Sequence, residues 1–372
     1  MTSWAGTVAR LVEQGRLAGR WAGIFAEVDR AAFTPDTVYA EMPGPGRRYD
    51  EVTRGGQPER WTELVCSPEA VVTRLMPSAA DGQPAPSSSS SAPAAVATML
   101  AALDLAPGDR VLDLGTGTGW VAALLAAYGA EVTTVEADRT VAAEAAARLA
   151  PFGNITAVHG DAVLGHPESA AFDAVHAGFA VRRIPAAWLT QSRPGARIVA
   201  PYSTLWSHTG MVGLVRQSDS SAAGLFSRTR VSFMWEAAQR PRWPAPAEHD
   251  ERVCVSPVDP REVLQSPACM WAVGLQLPGV TFDPVTAGGD RTLRLWALDG
   301  STAAVHVDHW AGPAGVRQTG PRSLWDEAVT ATRWWTSRGR PSRDRFGLTT
   351  SPHRETIWLD TPGQPVPSPP AT

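Results

Sequence analysis

The sequence predicts an α/β fold with a doubly wound, mainly parallel sheet. Two observations carry that expectation. Between residues 92 and 202, strand-like apolar runs alternate with helical runs across short connections. One of those strands, RVLDLG, runs directly into Gly115, Gly117 and Gly119 and then into a helix.

The elements follow in order. Val8, Leu11, Val12, Leu17, Trp21, Ile24 and Phe25 fall at helical spacing and predict one or two short helices over 4–30. Residues 33–62, rich in Pro, Gly and Arg, predict an irregular lid or binding loop. The run PSAADGQPAPSSSSS at 77–91 reads as a flexible linker. AVATMLAAL then predicts a helix and RVLDLG a strand. The helix WVAALLAAYG, the strand EVTTVEAD and the helix TVAAEAAARLA come next. ITAVHGD, FDAVHAGF and RIVAPY predict three more strands, with IPAAWLTQ between the last two. MVGLVRQ and SRTRVSFMW suggest an antiparallel hairpin at the sheet edge. Beyond about residue 236 come short β pieces (TLRLWALDG, TAAVHVDHW), the helix SLWDEAVTATRWW and a Pro-rich tail that predicts disorder. The expected organisation is a helical and lid segment over 1–84, a central domain over 85–235, a Trp-rich α+β domain over 236–360 and a disordered tail over 361–372.

Composition narrows the function. The 372 residues carry a net charge of −4, which disfavours a general nucleic-acid binder. All 33 basic residues are arginine. Without lysine there is no Schiff-base chemistry and no Walker-type phosphate loop. The three cysteines, Cys66, Cys254 and Cys269, form neither a disulfide framework nor a metal-binding pair. No run reaches the length of a membrane span and the N-terminus lacks a signal-peptide pattern, so the expected location is the cytoplasm.

The glycine loop admits three ligands. A nucleoside triphosphate wants a Gly-Lys-Ser/Thr ending, which is absent, and a dinucleotide wants GxGxxG where this chain has GxGxG. The third is S-adenosylmethionine. Asp113, just before the loop, suits its cationic part, whereas it would repel a pyrophosphate. Glu136 ends the second strand, where a carboxylate can take both ribose hydroxyls. Asp161 follows the third strand, where an acid can accept from an adenine amino group. Together these form the predicted cofactor set. Secondary candidates are Arg182 and Arg183 on the loop after the fourth strand, which suit an acidic peptide. His159 and His176 lie at strand ends, where packing is the ordinary role. Arg333, Arg338, Arg340, Arg343 and Arg345 form a basic run. Trp325, Trp334 and Trp335 share one helix face, and Trp120 suits a wall of the cofactor pocket.

Over residues 85–202 these blocks resemble class I methyltransferases, and among them the protein-L-isoaspartate O-methyltransferases. The likeness lies in SAPAAVATMLAALDLAPGDRVLDLGTGTGWVAALLA and in VHGDAVLGHPESAAFDAVHAGFAVRRIPAAWLTQSRPGARIVAP. Ala162 and Ala196 replace glycines of the family pattern. The resemblance implies a Rossmann-like domain using S-adenosylmethionine, with Ser91 in the active site beside the methyl donor and the substrate carboxylate. GPRSLWDEAVTATRWWTSRGRPSRDRFGLTTSPHRETIWLD and VCSPEAVVTRL resemble a subgroup found with ribosomal-peptide gene clusters, of graspetide or lanthipeptide type. That likeness implies methylation of an aspartate in a modified, crosslinked precursor peptide, the ester collapsing to aspartimide or isoaspartate. Housekeeping isoaspartate repair and a non-catalytic peptide-recognition subunit are the alternatives. Repair enzymes are expected to lack so long a carboxy-terminal part. Carboxylate methylation needs no general base, because the acceptor is already an anion at neutral pH; alignment and desolvation suffice.

Overall fold

Residues 3–17, 19–44, 46–78, 82–245, 249–287 and 290–368 are described by the structure, a computed structural model. The chain opens with three helices, α1 (Trp4–Glu13), α2 (Gly19–Glu27) and α3 (Arg30–Phe33). Ser3 caps α1 by accepting from the Gly6 amide, and Asp29 caps α3 in the same way from Ala31. The stretch expected to be a lid is regular. Strands β1 (Thr37–Glu41) and β2 (Tyr49–Thr53) form a hairpin, followed by α4 (Pro58–Val65). Its apolar residues are few, but Val38, Val52, Trp61, Val65 and Val71 close into a small core of their own.

The serine run is likewise a strand rather than a linker. β3 (Val71–Pro77) and β4 (Pro84–Ser90) pair antiparallel, completing a four-stranded sheet in the order β2-β1-β3-β4. Serine composition says nothing about backbone pairing, and here the partner strand fixes the conformation. Residues 79–81 of the expected linker lie outside the described residues.

The predicted βα units follow as α5 (Pro93–Leu103), β5 (Arg110–Leu114), α6 (Trp120–Ala127), β6 (Glu131–Glu136), α7 (Arg139–Leu149) and β7 (Ile155–His159). Then come β8 (Phe172–Ala177), α8 (Ala186–Thr190) and β9 (Ser192–Pro201). Strands β9-β8-β5-β6-β7 are parallel neighbours. The order reverses between β5 and β8, which opens a crevice at their carboxyl ends. The edge hairpin differs from expectation. β10 (Met211–Arg216) pairs with β11 (Ala222–Phe226), and residues 227–235 are mostly irregular.

The carboxy-terminal segment is built from β12 (Arg252–Cys254), α9 (Pro260–Val263), α10 (Pro267–Gln276), β13 (Val280–Ala287), β14 (Asp290–Ala297), β15 (Thr302–His306), β16 (Val316–Thr319), α11 (Leu324–Ser337), β17 (Phe346–Thr350) and β18 (Glu355–Leu359). β12 to β16 make a separate five-stranded antiparallel sheet, ordered β12-β16-β15-β14-β13. β17 and β18 return to the large sheet, β17 pairing onto β11 and β18 onto β17, so the segment after 236 is shared between two sheets. One hydrophobic core joins them, with Trp206, Trp271, Trp325 and Trp335 buried beside Leu112, Val175 and Ile198. At ~25 cal/mol per Å², each such indole contributes several kcal/mol of burial. On the other face, Trp4, Trp21, Phe25 and Trp120 pack the N-terminal helices against the sheet. The start of the Pro-rich tail is paired: the Val366 amide donates to the Ile357 carbonyl. Residues 369–372 lie outside the described residues. No helix among the described residues is long and apolar enough to cross a membrane.

Candidate active site

The crevice between β5 and β8 holds a cavity. Gly115 and Gly119 have φ of +85° and +89°, a region that β-carbons disfavour. A β-carbon on Gly115 would lie 2.8 Å from Cδ1 of Phe179. The Gly178 amide donates to the Leu114 carbonyl at 2.7 Å and draws the two strand ends together. Gly115 and Gly117 line the cavity with Thr116, Thr118 and Trp120. Gly119 starts α6 against Leu149 and shapes the loop without lining the cavity.

Glu136 reaches the same cavity from the end of β6. One carboxylate oxygen accepts from the Gly117 amide at 2.9 Å and the other from the Asp138 amide at 3.1 Å. The carboxylate is therefore held in a fixed plane at the loop. Asp161 also lines the cavity, its Oδ1 accepting from the Val163 amide at 2.8 Å. Ser91 lines it from the end of β4, with Ser87, Ser88 and Ser89 alongside. The serines read as linker thus wall the site.

Asp113 is placed differently from the sequence expectation. It is 1% exposed and does not line the cavity. Thr134 donates to its Oδ2 at 2.7 Å, and Nδ1 of His176 meets its Oδ1 at 2.8 Å. The register of β5 against β8 sets Asp113 opposite His176. It is His176 that faces the cavity, and its Nε2 is buried without a partner. Asp113 therefore reaches the site only through the imidazole, which sequence reasoning had treated as packing. His159 is exposed and does not line the cavity.

Arg182 and Arg183 are also elsewhere. They line a second cavity with Tyr202, Gln239, Leu275 and Pro352. The segment 233–240 separates the two: Phe233, Met234, Trp235 and Glu236 face the first cavity, and Gln239 faces the second. Of the carboxy-terminal arginines, Arg343 is engaged internally, donating to Thr209 and lying 4.4 Å from the Trp271 ring centroid. Burial pushes its guanidinium down to about 10. Arg345 forms a bidentate pair with Asp360, both bonds 2.7 Å. Arg338 lies over Trp334. Trp325 and Trp335 are core residues, with Trp334 partly buried against them.

Sequence reasoning missed Arg30. It is fully buried with no carboxylate partner among the described residues. Its guanidinium donates to the hydroxyl and carbonyl of Ser90 at 2.9 and 2.6 Å, and to carbonyls of Val65, Ser67 and Glu69. It therefore fixes the backbone immediately before Ser91. Burial pushes its pKa down to about 9. The phrase DRAAF carries no signal that its arginine turns inward.

The residues fit the methyl donor. The loop admits close backbone approach, Glu136 matches a ribose diol, and the unpartnered Nε2 of His176 awaits a polar group. Comparison with known proteins agrees. Residues 79–234 match the family model "Protein-L-isoaspartate(D-aspartate) O-methyltransferase (PCMT)". The chain is 43% identical over 112 residues to a protein-L-isoaspartate O-methyltransferase of Methylorubrum extorquens, covering 30% of this chain and 49% of that one. It is 40% identical over 146 residues to one from Xanthobacter autotrophicus, covering 39% and 64% respectively. The chain thus spans about half to under two thirds of these relatives. A solved protein-L-isoaspartate O-methyltransferase aligns over all of its length and 96% of this chain, with TM-score 0.54 and 18% identity. The shared architecture therefore extends past the methyltransferase sheet. Residues 79–234 thus resemble the protein-L-isoaspartate O-methyltransferases in sequence, and the chain shares their class I methyltransferase fold.

Proposed function

We propose that the chain is an S-adenosylmethionine-dependent carboxyl O-methyltransferase acting on isoaspartyl residues of proteins or peptides. The observation that carries this reading is the gathering of Gly115, Gly117, Glu136, Asp161, His176 and Ser91 around one cavity at the β5–β8 switch. S-adenosylmethionine supplies an electrophilic methyl group. Glu136 holds the ribose hydroxyls and Asp161 accepts from the adenine amino group. Ser91 orients the acceptor carboxylate with its hydroxyl and takes no proton. Phe179, Phe233 and Trp235 give the cavity aromatic walls.

The test is mass spectrometry of paired synthetic peptides incubated with S-adenosylmethionine. An isoaspartyl peptide should gain one methyl and then lose methanol as the following amide closes a succinimide. Its aspartyl twin should stay unchanged. An inert isoaspartyl peptide, with methylation of an ordinary aspartate in a crosslinked precursor, would replace this reading by precursor-peptide modification. Methyl transfer to nitrogen would remove the carboxylate reading and the role of Ser91.

A further inference from the structure

The second cavity, about 650 Å³, opens between the large sheet and the carboxy-terminal layer. One wall is the loop after β8, carrying Arg182 and Arg183. Gln239 braces that loop, its side-chain oxygen accepting from both arginine amides at 2.7 and 3.0 Å, while its Nε2 donates to the Arg183 carbonyl. The strap bearing Gln239 also bonds Ala180 on both sides, through Met234 and Glu236. The same few residues thus wall the methyl-donor cavity on one side and brace this cavity on the other.

The charge balance is unusual. Neither arginine has a carboxylate within ion-pair distance among the described residues. The Nε of Arg182 is buried without a partner, and desolvation pushes the guanidinium down. The nearby carboxylate, Glu355, forms no ion pair with them and is engaged otherwise: its Oε1 accepts from the Ile184 amide at 2.6 Å and from the Thr350 hydroxyl. Burial raises it to about 7, so it only partly offsets two cations at neutral pH. Ile184, Leu205, Leu275 and Pro352 supply apolar walls. Two guanidiniums without a carboxylate partner on the wall of a cavity are stabilised by an anion, and a guanidinium fork matches a carboxylate. The apolar walls suit the chain that carries it.

We infer that this cavity is a second anchoring site for the substrate polypeptide, taking a carboxylate near the residue to be methylated, either an acidic side chain or a chain terminus. The inference rests on the proposed carboxyl methyltransferase reading, since it assigns the bound polypeptide to that substrate.

Fluorescence anisotropy on the full chain tests it with labelled peptides that lack isoaspartate and therefore cannot report methylation. Two C-amidated peptides differ only by Glu or Gln at one position, scanned along the sequence. A third carries Gln and a free C-terminal carboxylate. The expected result is binding tighter by about tenfold or more for the Glu or free-carboxylate peptide, identifying the source. That preference should fall to within about twofold in Arg182→Gln and in the more exposed Arg183→Gln. Equal binding of all three peptides, or a preference that survives both substitutions, overturns the assignment. Acidic preference with no methylation of any isoaspartyl peptide would overturn the function proposed above while upholding the anion site.

Discussion

Nδ1 of His176 lies 2.8 Å from Oδ1 of Asp113, and this leaves Nε2 buried and unpartnered against the cavity at the β5–β8 switch, the proposed methyl-donor site. Asp113 offers only acceptors as a carboxylate, so the hydrogen on that contact belongs to Nδ1. In the neutral ring Nε2 then presents a lone pair, which suits the α-ammonium of S-adenosylmethionine. His176→Phe should weaken donor binding by about tenfold, the worth of one hydrogen bond to a charged group. Titration calorimetry of a folded variant with unchanged affinity would remove His176 from the binding set.

Glu136 is held by two amides in a plane suited to a diol. Glu136→Ala should cost ~1–3 kcal/mol in donor affinity through loss of charged hydrogen bonds. Glu136→Gln keeps the shape and should lose less. Calorimetry that ranks the two variants equally would argue for a purely structural role.

Ser91 is assigned to the substrate rather than to the donor. Ser91→Ala should therefore slow single-turnover methyl transfer to an isoaspartyl peptide while calorimetry shows donor affinity little changed. A parallel loss of donor affinity would place Ser91 in the cofactor site instead.

Arg30 joins α3, the end of α4 and the end of β4 through one guanidinium. Arg30→Met would leave the Ser90 carbonyl and its neighbours buried without donors, at about 3 kcal/mol or more in stability. Arg30→Lys keeps a charge but cannot span those acceptors, so urea unfolding should show partial rescue at most. A wild-type midpoint in both variants would contradict the clamp.

Glu355 makes stability depend on pH. Burial raises it from 4.5 to about 7, against the pull of Arg183 and the Ile184 amide. A raised pKa means that the folded chain binds the proton more tightly than the unfolded chain. The stabilisation is fully present below about pH 4.5 and is lost as pH rises through 7, a change on the order of 3 kcal/mol. Glu355→Gln should flatten the melting temperature between pH 5 and 8 relative to wild type, as scanning calorimetry can show.

The parallel strands were legible because they are buried on both faces and read as near-continuous apolar runs, VLDL and AVHA being broken only by Asp113 and His176. Glu136, Asp161 and the glycines were legible for a related reason: strand ends in this topology point at one crevice. What sequence periodicity omits is the partner across the sheet. The pairing of Asp113 with His176 depends on β5 lying beside β8, two strands far apart in the chain. The serine strand was hidden because its order comes from β3, and Arg30 because its acceptors are backbone carbonyls on other segments. The position of Arg182 and Arg183 on the loop after β8 was legible, but not the strap over 233–240, irregular in sequence pattern, which divides their cavity from the one lined by Glu136.

The pairing of β17 with β11 also sets an order of assembly. β10 and β11 can form soon after the parallel strands, but the outer edge of β11 waits for residues 346–350, with a whole five-stranded sheet made in between. An exposed strand edge in that interval invites pairing with another chain. Closing so distant a contact is slow. Refolding from denaturant should therefore run through a collapsed, aggregation-sensitive species, and its yield should fall steeply with protein concentration. Cutting the chain near residue 240 would make that species permanent.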